Sequence, residues 1–239
     1  MNEFEWIFFD CFNTLIDDFD PTGDESGLGL IAHLPVEAGL YSAAEGFRQD
    51  YLQWRQQQWT TQWREVTLPE RFREILRSRL PQLPGQDIDA VVAKMLQSFE
   101  LAYPKTLRLP QGVAEMLDYW LGKARMGVVS NFPLPHWPEQ LLAQFGLRRH
   151  FDFVLDSAFC GWKKPGPEIY QAACRLAEMP DSAIGKILFI GDHLRNDVLM
   201  PMQLGMQAIY FDRSHDRPTS AKAPEHISVI THWSQFRGQ

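Results

Sequence analysis

The sequence predicts an α/β fold built on a doubly wound parallel sheet, with a second, smaller α-helical domain. Two observations predict it. Four short apolar segments are each followed by a loop and a helical pattern, as is typical of alternating strands and helices in a parallel sheet. A long segment between them has helical patterning and no convincing strand. The apolar segments are 6–9, 126–129, 151–155 and 187–190, and the helical segment is 17–105.

The composition is that of an ordinary globular protein. The chain has 239 residues, 45% of them hydrophobic and 22% charged, which suffices for a core domain carrying a smaller insertion. The formal net charge is −7 and no stretch is dense in lysine and arginine, so we expect no nucleic-acid partner. The three cysteines are widely spaced, without a Cys-x-x-Cys pair, and indicate neither a disulfide framework nor a zinc site.

The beginning of the chain gives an expectation for its location. The first twenty residues carry acids where a secretory signal would carry positive charge. No apolar run approaches the roughly 20 residues that span a bilayer. We therefore expect a cytoplasmic protein with no membrane partner. Nothing in the sequence specifies its oligomeric state.

The helical segment is interpreted as an insertion into the α/β domain. Leu68-Pro69-Glu70 has the features of a helix start, because proline is tolerated in the first turn and an acid there complements the helix dipole. A loop rich in proline and glycine at 81–87 separates two of the helical stretches. We predict that residues 1–16 and 106–239 form the core domain and that residues 17–105 form the helical domain.

The first candidate functional residue is Asp10, which directly follows the strand predicted at 6–9. A carboxylate at a strand tip is held rigidly and desolvated on one side, which suits a nucleophile that must attack in line. Taken alone, the residue is ambiguous. An aspartate placed before Asn13 and Thr14 can equally satisfy the backbone of a turn.

Two more of the predicted strands end on polar groups. Ser130 and Asn131 can donate hydrogen bonds to a phosphoryl or carboxylate oxygen, although this dipeptide also commonly makes a turn. Asp192 follows 187–190, and Asp197 lies five residues later, near a helix start. Two hard oxygen ligands near a third carboxylate predict a Mg²⁺ site. The alternative is a loop acid at Asp192 and a helix cap at Asp197.

A pair of lysines precedes Pro165 and a helix predicted from Pro167. A lysine fixed by the following proline can bring a positive charge to a cluster of carboxylates and an anionic substrate. The alternative for Lys163 and Lys164 is a solvated surface loop.

These stretches occur in an order that resembles the haloacid dehalogenase (HAD) superfamily. The four motifs are FFDCFNTL, VVSN, KKP and GDHLRND, and the likeness continues through the segment between the second and third. It covers residues 4–16 and about 105–215 and implies a hydrolase with a Rossmann-like core. The helical segment resembles the family's helical cap only in its position after the first motif and in its helical character.

The resemblance implies a role for each matching residue. Asp10 would be the nucleophile and form an aspartyl-phosphate or aspartyl-ester intermediate. Lys164 would stabilise charge on Asp10 and on a small-molecule substrate. Ser130, with Asn131 beside it, would hydrogen-bond the transferring group.

The resemblance also implies a bound metal ion. Mg²⁺ would be held by the side chains of Asp10 and Asp192 and by the backbone carbonyl of Phe12. Asp197 would support the metal or its water ligands.

Phe12 departs from the family's pattern. Most phosphatases of the superfamily read D-x-D, and the second acid protonates the leaving alcohol and later activates water, which is typically worth about 10²–10⁴ in rate. A phenylalanine cannot do either. The backbone carbonyl is unaffected by this change, so the implied metal site is retained.

Three interpretations of Phe12 remain open. The first is a Mg²⁺-dependent phosphohydrolase that acts on small phosphorylated metabolites with good leaving groups or takes a proton from another residue. The second is a 2-haloacid dehalogenase, whose halide leaves without protonation; Asp192 opposes this, because a second acid would repel an anionic substrate. The third is a catalytically weak or inactive binding protein of the same fold. The intact remaining motifs favour the first.

Overall fold

The computed structural model describes residues 4–18, 27–61, 63–213 and 223–237, and the side chains of all of these except 59–61. The chain divides into two compact units. One comprises Met1–Asp17 and Leu109–Gln239, and the other comprises Asp18–Arg108. These limits lie a few residues beyond those inferred from the sequence. Asp17, which lies in the first unit, pairs there with Arg213.

The first unit contains the parallel sheet that the sequence predicts. Its strand order is fifth, fourth, first, sixth, seventh and eighth in the chain, and each neighbouring pair is parallel. The second and third strands have two residues each and form a separate pair. The strands are β1 (Trp6–Phe9), β2 (Asp17–Asp18), β3 (Leu107–Arg108), β4 (Arg125–Ser130), β5 (Phe153–Asp156), β6 (Ile187–Gly191), β7 (Gln207–Phe211) and β8 (Ser228–Ile230).

The sheet winds outward in two directions from β1. This strand pairs with β4 on one side and β6 on the other, with Phe9 opposite both Val128 and Ile190. All four residues of β1 are buried, as expected for a strand covered on both faces. In sheets of this type, ligands bind beyond the carboxyl ends of the strands where the winding direction changes. The ends of β4, β1 and β6 therefore mark the place to look for a site.

The sequence analysis missed β7 and β8, the two strands at one side of the sheet. The first three residues of β7 are only half-buried, and two of the three residues of β8 are exposed. Neither forms the uninterrupted buried run by which the inner strands were recognised. Within the inner sheet, Gly127 makes room for the ring of Phe153, since a Cβ atom at this glycine would lie 2.3 Å from the ring.

The second unit is helical, apart from the short strands at its limits. The fourth helix begins at Leu68, as predicted, and Thr67 and Glu70 form a capping box at its start. Arg71 of that helix makes a buried ion pair with Glu65 at 2.7 Å. The helices are α1 (Leu28–Ile31), α2 (Leu34–Glu37), α3 (Ala44–Thr61), α4 (Leu68–Arg79) and α5 (Gly85–Ala102).

Among its described residues, the first unit contains five further α-helices and one six-residue π-helical turn, Leu194–Leu199. The helix predicted from Pro167 is present. Across the described ranges, no helix is both long enough and apolar enough to cross a membrane. The helices are α6 (Val113–Trp120), α7 (Trp137–Gln144), α8 (Ser157–Cys160), α9 (Pro167–Leu176) and α10 (Met200–Gln203).

Candidate active site

The candidate site lies at the carboxyl ends of the three innermost strands. Asp10 directly follows β1, Ser130 is the last residue of β4, and Asp192 follows β6. Since parallel strands end at the same edge of a sheet, residues far apart in sequence come together there. The structure also brings Lys164 and Asp197 to this edge, because Lys164 donates hydrogen bonds to both Asp10 and Asp197.

Lys164 joins two carboxylates at the centre of the site. Its Nζ donates to Oδ1 of Asp10 at 2.6 Å and to Oδ1 of Asp197 at 2.7 Å, and all three residues are buried. Burial opposes the charge of the ammonium group, but the two carboxylates outweigh it and raise the pKa of Lys164 well above its ordinary value. The lysine is therefore a fixed positive charge and not the solvated surface residue that its loop position permitted.

The surroundings of Asp10 act on its carboxyl in opposite directions. Burial has the largest effect and raises its pKa, Lys164 lowers it and the nearby Asp197 raises it, so that the pKa is about 6. Its Oδ2 accepts a hydrogen bond from Thr14 at 3.3 Å. The turn that follows has Asn13 in the left-handed region, at φ 61°, a conformation that asparagine tolerates better than most residues. This turn carries Thr14 back to the carboxylate.

Asp197 is held on several sides. Its Oδ2 accepts from the backbone N–H of His193 at 2.9 Å, so both of its oxygens are engaged. Its carboxyl group packs directly on Gly191, where a Cβ atom would lie 2.5 Å from Asp197. Tyr170 of α9 donates a hydrogen bond to the carbonyl of Asn196 and so fixes the π-helical turn. Burial raises the pKa of the Tyr170 phenol, which keeps it a donor.

Asn131 is bonded to the main chain of Lys164 through both atoms of its amide. Its Oδ1 accepts from the Lys164 N–H at 2.7 Å, and its Nδ2 donates to the Lys164 carbonyl at 2.9 Å. The family resemblance implies that Asn131 lies beside the transferring group; the observed bonds connect it to the main chain of Lys164. Lys163, to which the motif assigns no role, is also buried.

Ser130 is fully buried, and its hydroxyl has no hydrogen-bond partner among the residues that the structure describes. A buried hydroxyl without a partner costs free energy, so such groups in native proteins call for an explanation. A substrate oxygen beside Asp10 would supply one.

The acids of the site suit a divalent metal ion. Carboxylate oxygens of Asp10, Asp192 and Asp197 all lie within 4.8 Å of one another. Three carboxylates and one ammonium group leave an excess of negative charge, and oxygen ligands are those that Mg²⁺ prefers. Both oxygens of Asp197 accept hydrogen bonds, from Lys164 and from the His193 N–H, and both oxygens of Asp10 accept them from Lys164 and Thr14.

An ion pair stabilises the segment that follows Asp10. Arg213, which lies just beyond β7, pairs with Asp17 through two contacts of 2.7 and 2.9 Å. It also donates to the backbone carbonyl of Asn13 at 3.4 Å. The sequence analysis missed this residue, because nothing in the sequence links positions separated by almost the whole chain.

Comparison with known proteins decides the family. A family model described as haloacid dehalogenase-like hydrolase matches residues 4–205. The chain belongs to the haloacid dehalogenase-like hydrolases. The resemblance inferred from the four motifs is thereby confirmed, as is the fold class.

Among curated members of this hydrolase family, human haloacid dehalogenase-like hydrolase domain-containing protein 3 is 36% identical over 126 residues, which are 52% of this chain. The match spans only about half, 48%, of that relative's length. The pyrimidine 5'-nucleotidase YjjG of Escherichia coli (strain K12) is 26% identical over 226 residues, covering 93% of this chain and 92% of the relative.

A solved structure supports the same fold. The 2-haloacid dehalogenase of Pseudomonas syringae pv. Tomato DC3000 superposes with a TM-score of 0.71, covering 97% of this chain and 96% of the other at 19% identity. At that level of identity, the likeness supports the shared fold and carries no information about the substrate.

Proposed function

We propose that this hydrolase is a Mg²⁺-dependent phosphohydrolase that acts through an aspartyl-phosphate at Asp10 on a small phosphorylated metabolite. One observation carries the proposal: Lys164 Nζ lies 2.6 Å from Asp10 and 2.7 Å from Asp197, inside a buried site. A fixed positive charge beside a rigid carboxylate is what in-line attack on an anionic phosphoryl group requires. The nucleotidase relative, which aligns over nearly its whole length, is consistent with phosphate chemistry.

The reaction has two steps. In the first, a carboxylate oxygen of Asp10 forms a bond to phosphorus, and the bond between phosphorus and the leaving oxygen breaks, with its electron pair departing on that oxygen. In the second, water attacks the phosphorus of the aspartyl-phosphate, releasing phosphate and regenerating the Asp10 carboxylate. Lys164 and the hydroxyl of Ser130 stabilise the charge on the phosphoryl oxygens in both steps.

The metal site that we propose consists of the side chains of Asp10 and Asp192 and the backbone carbonyl of Phe12. Asp197 supports this arrangement from its hydrogen-bonded position against Lys164 and His193. When bound, Mg²⁺ would neutralise phosphoryl charge and orient the transferring group.

Phe12 limits the substrates that this site can process. Without an acid two residues after Asp10, the leaving group must depart unprotonated or take its proton from elsewhere. His193 is a poor source near neutral pH, since burial and the charge of Lys164 lower the pKa of its imidazole. We therefore infer that the substrates have good leaving groups, such as acyl or aryl phosphates.

We propose further that the helical unit, Asp18–Arg108, acts as a cap that selects the substrate, and that the protein works in the cytoplasm on small molecules. The position of this unit, inserted between β1 and β4, is that of the cap which the family resemblance implies. Its helices offer no motif that identifies a particular metabolite.

A 2-haloacid dehalogenase is the second candidate, and Phe12 is the observation that favours it. A halide needs no protonation to leave, so the missing acid would not hinder its departure. The cluster of Asp10, Asp192 and Asp197 counts against it, because three acids against Lys164 repel a carboxylate substrate.

The test is hydrolysis of para-nitrophenyl phosphate with Mg²⁺ and with EDTA, using Asp10→Asn as the inactive variant. The exposed acid Asp181 provides a matched control in Asp181→Asn. We expect turnover by the wild type and the control that vanishes with EDTA and in Asp10→Asn. Absence of phosphate release together with chloride release from 2-chloropropionate would replace the phosphohydrolase by the dehalogenase.

A further inference from the structure

Three aromatic rings stack in a row beside the candidate site. The ring of Phe12 lies 4.7 Å from that of Phe132, centroid to centroid, with an angle of 21° between their planes. The ring of Phe132 lies 6.0 Å from that of Trp137, at 12°. All three belong to the same unit of the chain. We refer to Phe12, Phe132 and Trp137 as the aromatic ladder.

The ladder is connected to the catalytic motifs at two points. Phe12 is the second residue after Asp10, and Phe132 is the second after Ser130. The ring that occupies the position of the missing acid is therefore backed by a ring on the loop of the second motif. Phe12 is half-buried, whereas Phe132 is buried. The ladder thus has an inner ring and a partly accessible one next to the nucleophile.

Phe132 is fixed through its main chain. Its N–H donates to Oγ of Ser157 at 2.9 Å, and the same hydroxyl donates to its carbonyl at 3.2 Å. Ser157 is itself fully buried at the start of α8. The neighbouring residue, Asn131, is held by its two bonds to Lys164. A ring supported in this way gives Phe12 a rigid backing.

We propose that the aromatic ladder is a leaving-group subsite and that it selects aryl phosphates, in which the phosphoryl group is attached to a planar aromatic ring. The proposal rests on the phosphohydrolase function and deepens it. Parallel stacked rings form a flat surface, and a further aromatic ring gains attraction by stacking on or against such a surface. An aliphatic acyl or alkyl phosphate has no ring to place there.

The same residue then explains both the binding and the chemistry. When Asp10 attacks phosphorus, the bond from phosphorus to the phenolic oxygen breaks and the electron pair leaves as a phenolate. The ring delocalises that charge, and the phenolate takes its proton from water after release. This departure needs no acid at position 12, so a phenylalanine there does not hinder the first step on an aryl phosphate.

The test compares two substrates whose leaving alcohols have closely similar pKa values: phenyl phosphate and a phosphate ester of a fluorinated alkyl alcohol. Because the two leaving alcohols have similar pKa values, a difference in kcat/KM between the two esters reports stacking and not leaving-group ability. Each is assayed at saturating Mg²⁺ with the wild type, with Phe12→Leu, and with Phe159→Leu. Phe159 is an aromatic residue outside the ladder that is 63% exposed, so its variant is the matched control.

We expect the wild type and the control to prefer phenyl phosphate in kcat/KM. Phe12→Leu should lower kcat/KM for phenyl phosphate by about two- to tenfold more than it lowers kcat/KM for the alkyl ester, a difference of the size of a single aromatic contact. The loss should lie mainly in KM, since stacking acts on substrate and transition state alike.

The outcomes separate this proposal from the one on which it rests. If the wild type hydrolyses both esters equally well, or if Phe12→Leu lowers both by the same factor, the subsite is refuted while the phosphohydrolase stands. If the wild type hydrolyses neither ester at any Mg²⁺ concentration, the phosphohydrolase itself is refuted, and the subsite with it.

Discussion

The side chain of Asn131 makes two hydrogen bonds to the main chain of Lys164. Its Oδ1 accepts from the Lys164 N–H at 2.7 Å, and its Nδ2 donates to the Lys164 carbonyl at 2.9 Å. The two residues belong to different motifs on different loops. The second motif therefore sets where the third motif presents its ammonium group, which in turn contacts both Asp10 and Asp197.

Replacement of Asn131 should consequently reduce the rate more than the affinity. In Asn131→Asp the bond to the Lys164 N–H can persist, but the new carboxylate oxygen faces the Lys164 carbonyl and repels it. Because a displacement of about 1 Å in a catalytic group can cost on the order of 100-fold in rate, we expect kcat for an aryl phosphate to fall by about 10- to 100-fold with KM little changed. Steady-state kinetics measures both constants. A rise in KM at constant kcat would instead make Asn131 a substrate ligand.

Gly191 should tolerate no side chain, because Asp197 occupies the space that a Cβ atom would need, at 2.5 Å. In Gly191→Ala, Asp197 has to move, and its bond to Lys164 moves with it. We expect activity to fall by about 100-fold and the free energy of unfolding to fall by about 1–3 kcal/mol, the usual cost of overpacking.

The matched control for Gly191 is Gly185→Ala. A Cβ atom at that glycine would make an ordinary contact of 3.7 Å with the Gly205 carbonyl, so activity should be unchanged. Equal effects of the two substitutions on activity and on urea denaturation would contradict the packing of Asp197 against Gly191.

Arg213 should matter for stability through its buried ion pair with Asp17, which has contacts of 2.7 and 2.9 Å. Arg213→Met leaves the buried carboxylate without its cation, and breaking such a pair typically costs about 3–5 kcal/mol. The double variant Arg213→Met with Asp17→Leu removes both charges and should recover most of this loss. Urea denaturation of Arg213→Met, Asp17→Leu and the double variant gives a double-mutant cycle. If the losses in the free energy of unfolding are additive, the two residues are not coupled and the prediction is wrong.

The stability of the metal-free protein should depend on the ionisation of Asp10. Burial raises the pKa of this carboxyl to about 6 in the folded protein, above the roughly 3.9 of an unfolded aspartate. The folded state thus binds the proton more tightly. The contribution of the Asp10 carboxyl to the free energy of unfolding is favourable below about pH 4 and is lost as the pH rises through about 6. At neutral pH the ionised group costs up to about 3 kcal/mol, at about 1.4 kcal/mol per pKa unit.

Asp10→Asn removes this cost, while Lys164 keeps its bond to Asp197. In EDTA, we therefore expect the variant to be more stable than the wild type at about pH 7.5, with the difference shrinking toward about pH 4. Thermal unfolding at both pH values measures it, with Asp181→Asn as the control. A variant less stable than the wild type at both pH values would mean that the bond from Asp10 to Lys164 outweighs desolvation.

The sequence predicted the parts of the fold that have a local signature. Strands buried on both faces appear as uninterrupted apolar runs, so β1 and β6 were found, whereas the partly exposed β7 and β8 were not. The start of α4 was predicted because Pro69 and Glu70 lie within one turn of it. Such signals depend only on neighbours in the chain.

The sequence predicted the residues of the site that belong to recognisable motifs, but not the contacts between them. Asp10, Lys164 and Asp197 are recognisable from short patterns, and the structure brings them into contact. The amide bonds from Asn131 and the stacking of Phe12 on Phe132 connect separate loops, and no pattern in the sequence encodes them. These contacts arise from the topology of the sheet, which brings distant strand ends to one edge.

The central claim is that Asp10 itself receives the phosphoryl group. The most direct measurement is to quench the reaction in acid during turnover of an aryl phosphate and to analyse the peptide that carries Asp10 by mass spectrometry. A phosphate adduct on Asp10, absent in EDTA and in Asp10→Asn, is the result that we predict. Turnover that proceeds with the phosphate on another residue, or with heavy oxygen from labelled water entering the Asp10 carboxyl instead of the released phosphate, would contradict it.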